Sequence, residues 1–571
     1  MAVDYEKLVS MLEEKVSSQG EFIALLQKQL EERDSTISDL KSLVNTLNAT
    51  VANLNETIDE FRRKFFGTSS EKTALAGDND GTEEEDEPKQ EVTVNTHKRR
   101  KSNGKRKRED LYGSLPVKEI KIDVPDDERI CPDCDTPMEH LGYKFAREEL
   151  RIIPAKVYRV KYMYETLYCP TCRSEDETTI ISANVPASLL PHSPVSPSIL
   201  TDIAFKKSVL HVPFYRQEPV WKEMGCPIPR GTAANWYNTC AHEYITPLYE
   251  RLHQLLLLRE IVHADETTCQ VLHEAGKKAT STSYMWIYVS GTDGLPKIIL
   301  YDYRDGRGSI HPVEFLKGFK GMIQCDGYSA YGCLEDVILV CCLSHCRRKF
   351  FEAVPAARKK KLKLLDINSE QAIPKPDTGK LKDPDILPAE KGVIYCNWLF
   401  YLERQYKGLP AEERKERRLK TEPAIWKSFW EWLDTLTPAG GSKLETAVNY
   451  AYNHRGSLMN YLLDGRCEIS NNSAERCAKF YATSRKNFLF HDTVKGAQAS
   501  AMMMSIIETA KNNGLNVYQY LYMLFLYMPD YKNEPAGIEQ LLPWSDFIRK
   551  YCSGLTDTEN ITPENKPKLV F

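Results

Sequence analysis

The run REIVHAD, residues 259–265, decides how the chain is read. Before it, residues 194–258 carry helical patterns broken by Pro and Gly. After it the texture changes to β-branched and aromatic runs bounded by polar turns. A short apolar run closing on Asp265 is the pattern of a buried strand that delivers an acid at its end. SYMWIYVSG (283–291) and PKIILYDY (296–303) read as two further strands, and HPVEFLKGF (311–319) as a helix. GMIQCD (321–326) is a fourth strand, ending in Asp326. VILVCCLSH (337–345) is a fifth, and CRRKFFEAV (346–354) opens the next helix. Strands alternating with helices in this way predict an α/β domain.

The order matches a ribonuclease H-like core, in which one acid sits on the first strand and a second at the end of the fourth. Asp265 and Asp326 occupy those places. A third carboxylate lies far downstream, in ISNNSAER (469–476). Asn472 and Glu475 have the spacing of a capping box, so Glu475 alone is no more than a helix start. Beside two other acids it becomes a candidate third ligand. Three converging carboxylates can hold two divalent cations roughly 3.5–4 Å apart for an in-line phosphoryl displacement. Magnesium, or manganese, suits such hard oxygen donors.

Working outward, the first 66 residues repeat in sevens. Val9, Val16, Ile23, Leu30, Ile37, Val44, Val51, Ile58 and Phe65 form one series. Leu12, Gln19, Leu26, Arg33, Leu40, Leu47, Leu54 and Phe61 form the other. β-branched residues in the first series and Leu in the second predict a parallel coiled-coil homodimer over 1–66. Residues 67–115 are polar, with EEEDE at 83–87 and KRRKSNGKRKR at 98–108, and predict a disordered acidic/basic linker. Cys131 and Cys134, then Cys169 and Cys172, form two C-P-x-C knuckles that can close a structural four-thiolate zinc site in a module spanning 116–185. The alternating stretch between them, 149–168, suggests a hairpin. Residues 186–258 predict a helical, helix-turn-helix-like module, with Arg230 and Thr232 opening its second helix. The catalytic core is then 259–353 with 441–511, interrupted by a charged helical insertion at 354–440 and followed by a C-terminal helical tail at 512–571.

Bulk composition agrees with a multidomain chain. The 571 residues are 42% hydrophobic, enough for real cores. Lys and Arg number 76 against 80 Asp and Glu, so the net charge of −4 argues for nothing until it is resolved along the chain. Sixteen cysteines, with no secretory leader in view, suggest reduced thiols and metal ligation. The expectation is a soluble intracellular protein, cytoplasmic and nucleoid-associated.

Longer stretches carry a specific resemblance. RRKFFGTSSEK (62–72), the two C-P-x-C knuckles, DETTCQVL (265–272), DGYSAY (326–331), HCRRKFFEA (345–353) and DGRCEISNNSAER (464–476) follow in order. So does SRKNFLFHDTVKGAQASAMMMSIIETAKNNGLN (484–516). The chain resembles the large transposase of the insertion-sequence-66 family, within the DDE transposases. That resemblance implies movement of a mobile DNA element, with Asp265, Asp326 and Glu475 as the acidic triad. It also suggests accessory proteins of the same element as partners. Arg347, Arg348 and Lys349 beyond the fifth strand, and Arg476, Arg485 and Lys486 after the glutamate, are candidate contacts to the phosphates of element-end and target DNA. His263, two residues before Asp265, falls on the same strand face. Two rivals stand beside strand transfer: a nuclease of the same core that cuts without joining, and a decayed or repurposed transposase that only binds DNA.

Overall fold

The computed structural model describes residues 143–144, 156–168, 180–356, 358–359 and 386–569. The expected coiled coil (1–66), the linker (67–115) and the cysteines Cys131, Cys134, Cys169 and Cys172 lie outside these residues.

The chain is mixed α/β. Two short strands come first, β1 (Thr166–Tyr168) and β2 (Ile180–Ser182), paired antiparallel with Leu167 opposite Ile181. The first arm of the hairpin expected within 149–168 lies outside the described residues. Residues 156–165 form no strand, and β1 instead pairs across the second cysteine knuckle with β2.

Helices follow: α1 (Pro197–Ser208), α2 (Phe214–Glu223), α3 (Arg230–Cys240), a π-helical turn (Ala241–Ile245) and α4 (Thr246–Leu257). Ser196 caps α1 by accepting from the Ile199 N–H, and Pro197 fits the first turn, where no N–H is needed. The turn between α2 and α3 contains Gly225 at φ +74°. Trp221, Ile228 and Ala233 close it over Ile203 of α1.

The central sheet runs through β3 (Ile261–His273), β4 (Thr282–Ser290), β5 (Ile299–Arg304), then α5 (Ile310–Phe315), β6 (Gly321–Cys325) and β7 (Val337–Cys341). Its order is β5-β4-β3-β6-β7. The first three strands are antiparallel; β6 joins β3 in parallel, and β7 joins β6 in parallel. Gly321 lets β6 start against β3, since a Cβ there would lie 2.3 Å from the Glu260 carbonyl. Two sequence expectations shift. β3 does not end at Asp265 but runs on to His273, so the acid is mid-strand. The helix expected over 311–319 is a short one, over Ile310–Phe315.

Alternation along the strands sorts the core into two faces. Trp286, Tyr288 and Leu300 face one cluster, with Phe315 stacked on Tyr288 at 4.0 Å. Met285, Ile287, Ile299, Tyr301, Cys269 and Val271 face the other. After α6 (Leu343–Ala353), α7 (Pro388–Gln405), α8 (Ala411–Leu433), α9 (Lys443–Asn453) and α10 (Arg455–Met459), the helices α11 (Asn472–Phe488) and α12 (Val494–Asn512) cover the second face. Between them in the chain comes β8 (His491–Thr493). β8 extends β3 at its far end, pairing His491 with Val271.

Of the stretch expected as an insertion, 354–440, the described residues from 386 on are largely helical and pack into the core. Tyr395, Trp398, Trp426 and Phe429 belong to the main core cluster, together with Phe350 of α6. The expected tail is helical too: α13 (Val517–Tyr531), α14 (Pro535–Gln540) and α15 (Asp546–Cys552). α13 is buried from Gln519 to Met528 and packs on α1, so it is a core element. Among the described residues, no helix is long and apolar enough to cross a membrane.

Candidate active site

Strand register brings the first two acids together. In the parallel pair β3–β6, Val262 faces Ile323 and His263 faces Gln324. Two residues further on come Asp265, within β3, and Asp326, the first residue after β6, so the register brings both to the same end of two neighbouring strands. Asp265 shares the odd-numbered face of β3 with Cys269 and Val271, the face that α11 covers. Ala474, Cys477 and Tyr481 of α11 pack there, which carries Glu475 of its first turn to the same end of the sheet. A carboxylate in a first turn is favoured by the helix dipole.

Asp326 follows β6 in a tight turn. Its Oδ1 accepts from the Tyr328 N–H at 2.8 Å, and Gly327 takes φ +89°. A Cβ at Gly327 would meet the His454 ring and the Tyr450 hydroxyl at 3.0 Å, so glycine is required twice over. The Tyr450 hydroxyl donates to the Asp326 carbonyl at 2.6 Å. α9 therefore clamps the turn that presents the acid.

The electrostatics are lopsided. Burial pushes the Asp265 carboxyl up to about 8, with Glu266, Asp326 and Glu475 pushing the same way. Glu266 is raised too, by burial and by Asp326, but it has its own partners. Arg307 Nε donates to Glu266 Oε1 at 2.8 Å, and the Tyr331 hydroxyl to Oε2 at 2.9 Å. Burial holds His345 and His263 below the ordinary histidine value, so both are neutral at pH 7. Among the described residues, no Lys or Arg side chain forms an ion pair with Asp265, Asp326 or Glu475 at the site, so these acids have no protein cation of their own there. Asp265, Asp326 and Glu475 offer hard oxygen donors of the kind that suit a divalent metal ion.

A second layer fixes the backbone from which these acids project. Asn471 is buried, and its Nδ2 donates to the Ala264 carbonyl at 2.8 Å, one residue before Asp265. Its Oδ1 lies 3.1 Å from His263 Nδ1, and its own N–H donates to Cys342 Sγ at 3.2 Å. Gln324 makes a two-way bridge to the backbone of Glu468: the Glu468 N–H donates to Oε1 at 3.0 Å, and Nε2 donates to the carbonyl. The segment entering α11 is thereby tied to β3 and β6.

The sequence reasoning named Asn472 as the helix cap. The structure corrects it: Asn472 is the exposed first residue of α11, Asn471 precedes it, and neither side chain caps the helix. The N-N pair was the right signal, but only burial says which asparagine faces inward. Glu266, Arg307, Tyr450, His454 and Cys342 were also missed. Their partners lie up to a hundred or more residues away in sequence, beyond any local pattern.

The basic candidates divide. Arg347 turns into the protein and donates to Asn397 Oδ1 of α7 at 2.6 Å, where burial lowers its proton affinity. Arg485 is committed to the Thr268 carbonyl and hydroxyl on β3. Arg348, Arg476 and Lys486 are exposed and Lys349 half-buried. His263 is a fully buried histidine bound to Asn471, not an open ligand.

Comparison with known proteins places the chain. Residues 192–499 match the family described as "Transposase IS66 family", and residues 128–173 match the zinc-finger binding domain of that transposase. Residues 53–120 match a segment described as "Transposase C of IS166 homeodomain", and 505–544 the IS66 C-terminal element. Two uncharacterized proteins of Sinorhizobium fredii (strain NBRC 101917 / NGR234) are similar over most of their length. The protein y4qI is 27% identical over 532 residues, covering 89% of this chain and 92% of its own. The protein y4jD is 27% identical over 452 residues, covering 76% and 81%.

Proposed function

The chain belongs to the IS66 family of transposases, and from that premise we propose that it cuts the ends of a mobile DNA element and joins them to target DNA by metal-dependent phosphoryl transfer. Asp265, Asp326 and Glu475 are the catalytic carboxylates. The observation that carries this reading is the convergence of the three acids at one end of the sheet, where among the described residues no Lys or Arg pairs with them. The sheet order, three antiparallel strands followed by two parallel ones with the acids on the first and fourth, supports a ribonuclease H-like core.

Asp265, Asp326 and Glu475 would hold magnesium or manganese, and such ions activate the attacking oxygen and stabilise the leaving one. The protein's own contribution is placement. Asn471, Gln324 and Tyr450 fix the backbone from which the three acids project, so little reorganisation remains when DNA arrives. Arg348, Lys349, Arg476 and Lys486 hold DNA phosphates, a sequence-independent grip that weakens with salt. α3, which opens with the exposed Arg230, is the helix that reads element-end DNA. Cys131, Cys134, Cys169 and Cys172 hold a structural zinc ion within the segment that matches the zinc-finger domain. The heptads of 1–66 pair two copies, so that two element ends are brought together before transfer.

The test is cleavage and joining of labelled element-end DNA with magnesium, by wild type and by Glu475→Gln. Wild type should form both cut and joined products. The variant should bind the same DNA and form neither. Equal activity in the two proteins would remove Glu475 from the chemistry. Cut products without joined ones would identify a nuclease.

A further inference from the structure

Glu475 also belongs to a second donor set, of different chemistry. Cys342 immediately precedes α6 and His345 lies three residues on, so both side chains look out from one face of its first turn. Glu475 Oε1 lies 3.9 Å from Cys342 Sγ and 3.7 Å from His345 Nδ1. The three ligand atoms all fall within 4.8 Å of one another. Around a tetrahedral zinc ion, with bonds of about 2.0–2.3 Å, such atoms sit roughly 3.3–3.7 Å apart. Only small movements separate the observed cluster from that geometry.

We propose that Cys342, His345 and Glu475 form a site for a thiophilic divalent cation such as zinc, and that filling it takes Glu475 away from Asp265 and Asp326 and silences the enzyme. The silencing rests on the reading of Glu475 as a catalytic carboxylate; the site itself does not.

Four features favour the site. First, the donors are one sulfur, one imidazole nitrogen and one carboxylate oxygen, a set that selects zinc, cobalt or iron over magnesium. Second, His345 Nδ1 is buried and makes no hydrogen bond, so a ligand atom faces the cluster without a partner. Third, the sulfur accepts the Asn471 N–H at 3.2 Å at the start of α6, so it is already aimed at the cluster; burial and Glu475 push the thiol up to about 12, and a bound cation replaces its proton. Fourth, the side chains of His345 and Glu475 retain 21% and 29% exposure, so an ion can reach the cluster from solvent. On binding, the thiol proton passes to solvent and the metal takes its place. The fourth position is open to water.

The site is distinct from the four-thiolate site expected at Cys131, Cys134, Cys169 and Cys172, and the experiment must separate them. The full chain is first given one equivalent of zinc, which fills the tighter four-thiolate site and leaves the proposed one open. It is then titrated with cobalt(II), reading the ligand-field bands and the sulfur-to-cobalt charge-transfer band. Wild type should take up one further cobalt ion with a charge-transfer band. Cys342→Ser should lose that band, and His345→Asn should bind the ion at least tenfold more weakly. Identical spectra and stoichiometry for all three proteins would overturn the site. If Cys342→Ser proves misfolded by circular dichroism, His345→Asn decides alone.

A second arm reads function. Low zinc concentrations should stop magnesium-dependent cleavage by wild type, while His345→Asn should need at least tenfold more zinc for the same inhibition. If wild type cleaves DNA but takes up no further cobalt, the site is wrong and the catalytic reading stands. If wild type takes up cobalt but Glu475→Gln cleaves as well as wild type does, the metal site stands and its inhibitory role falls.

Discussion

Two buried ionic clusters in this chain meet opposite ends. Between α7, α8 and the segment before α11, Arg418 is wholly buried. Its Nε and Nη2 bind the two oxygens of Glu403 at 2.6 and 2.7 Å, and it donates to the carbonyls of Tyr461, Asp464 and Cys467. Burial and the nearby Glu403 push Glu422 beside it up to about 9, so that side chain is neutral at pH 7 and the Tyr461 hydroxyl bonds to it. One cation, one anion and one neutral acid close the account. The cluster of Asp265, Asp326 and Glu475 has no such closure among the described residues: burial, Asp326 and Glu475 push the proton affinity of Asp265 up, and the nearby Arg307 is spent on Glu266. A buried cluster that is complete holds the fold together. A cluster left short of one charge type is waiting for a partner from outside.

The largest expected effect breaks the comparison at its open end. Asp265→Asn should lower strand cleavage by on the order of 10⁴-fold, because ion-mediated charge stabilisation is worth several kcal/mol. The same variant should not lose thermal stability, since it removes a carboxyl that burial disfavours. Magnesium should raise the melting temperature of wild type and leave that of the variant unchanged, by linkage. A variant that melts well below wild type would show that Asp265 belongs to a closed structural cluster after all.

The closed end should answer in reverse. Arg418→Ala leaves Glu403 buried without its partner and strands three carbonyls, a loss of about 3–5 kcal/mol. Chemical denaturation should show this as a lower midpoint with or without magnesium. A variant as stable as wild type would mean that the network is decoration.

The contrast between the clusters also explains what could be read from the chain alone. Asp265 and Asp326 were legible because each closes a local pattern, an apolar run ending in an acid, and parallel strands must bring such ends level. The sheet was legible for the same reason, as five runs of alternating or continuous apolar residues. The extension of β3 past Asp265 was not, because ETTCQVLH is polar on one face and is held by β4 and β8, not by its own composition. The Arg418 cluster was invisible: EERKERRLK reads as a solvated helix face until Glu403 and the 461–467 carbonyls arrive from elsewhere in the chain. Its place near the C-terminus makes α13 read as a tail, although its VYQYLYMLFLYM run has no polar face to give to water. Long-range closure, not local propensity, is the information a single sequence withholds.

Asn471 joins the open cluster to the scaffold, and its removal should have an intermediate effect. Asn471→Ala strands the Ala264 carbonyl and frees the His263 ring. The stability loss should be about 1–3 kcal/mol. If the residue positions the acids, cleavage by folded protein should fall roughly 10–100-fold in kcat at unchanged DNA affinity, the cost of misplacing reacting groups by about an ångström. Equal kcat in folded variant and wild type would reduce Asn471 to packing.

Lys207 shows a third way to resolve a buried charge, and the smallest effect. It sits on α1 with its ammonium 3.9 Å from the Phe488 ring and 5.5 Å from that of Phe214. Burial lowers its pKa to about 8. Between that value and its ordinary one near 10.5, the unfolded chain binds a proton that the folded chain has released. The unfolded state then carries more protons, so stability rises with pH across this window. Below pH 8 both states are protonated and the full cost of burying the charge remains. Lys207→Met should therefore stabilise the protein at pH 7 by about 1–2 kcal/mol, the cation–π contact offsetting part of the gain. The advantage should shrink toward pH 10, where wild type buries a neutral amine. Denaturation midpoints of the two proteins at pH 7, 8.5 and 10 measure it. A gap that stays constant with pH would mean that Lys207 keeps its proton, held by its aromatic neighbours as firmly as Arg418 is held by Glu403.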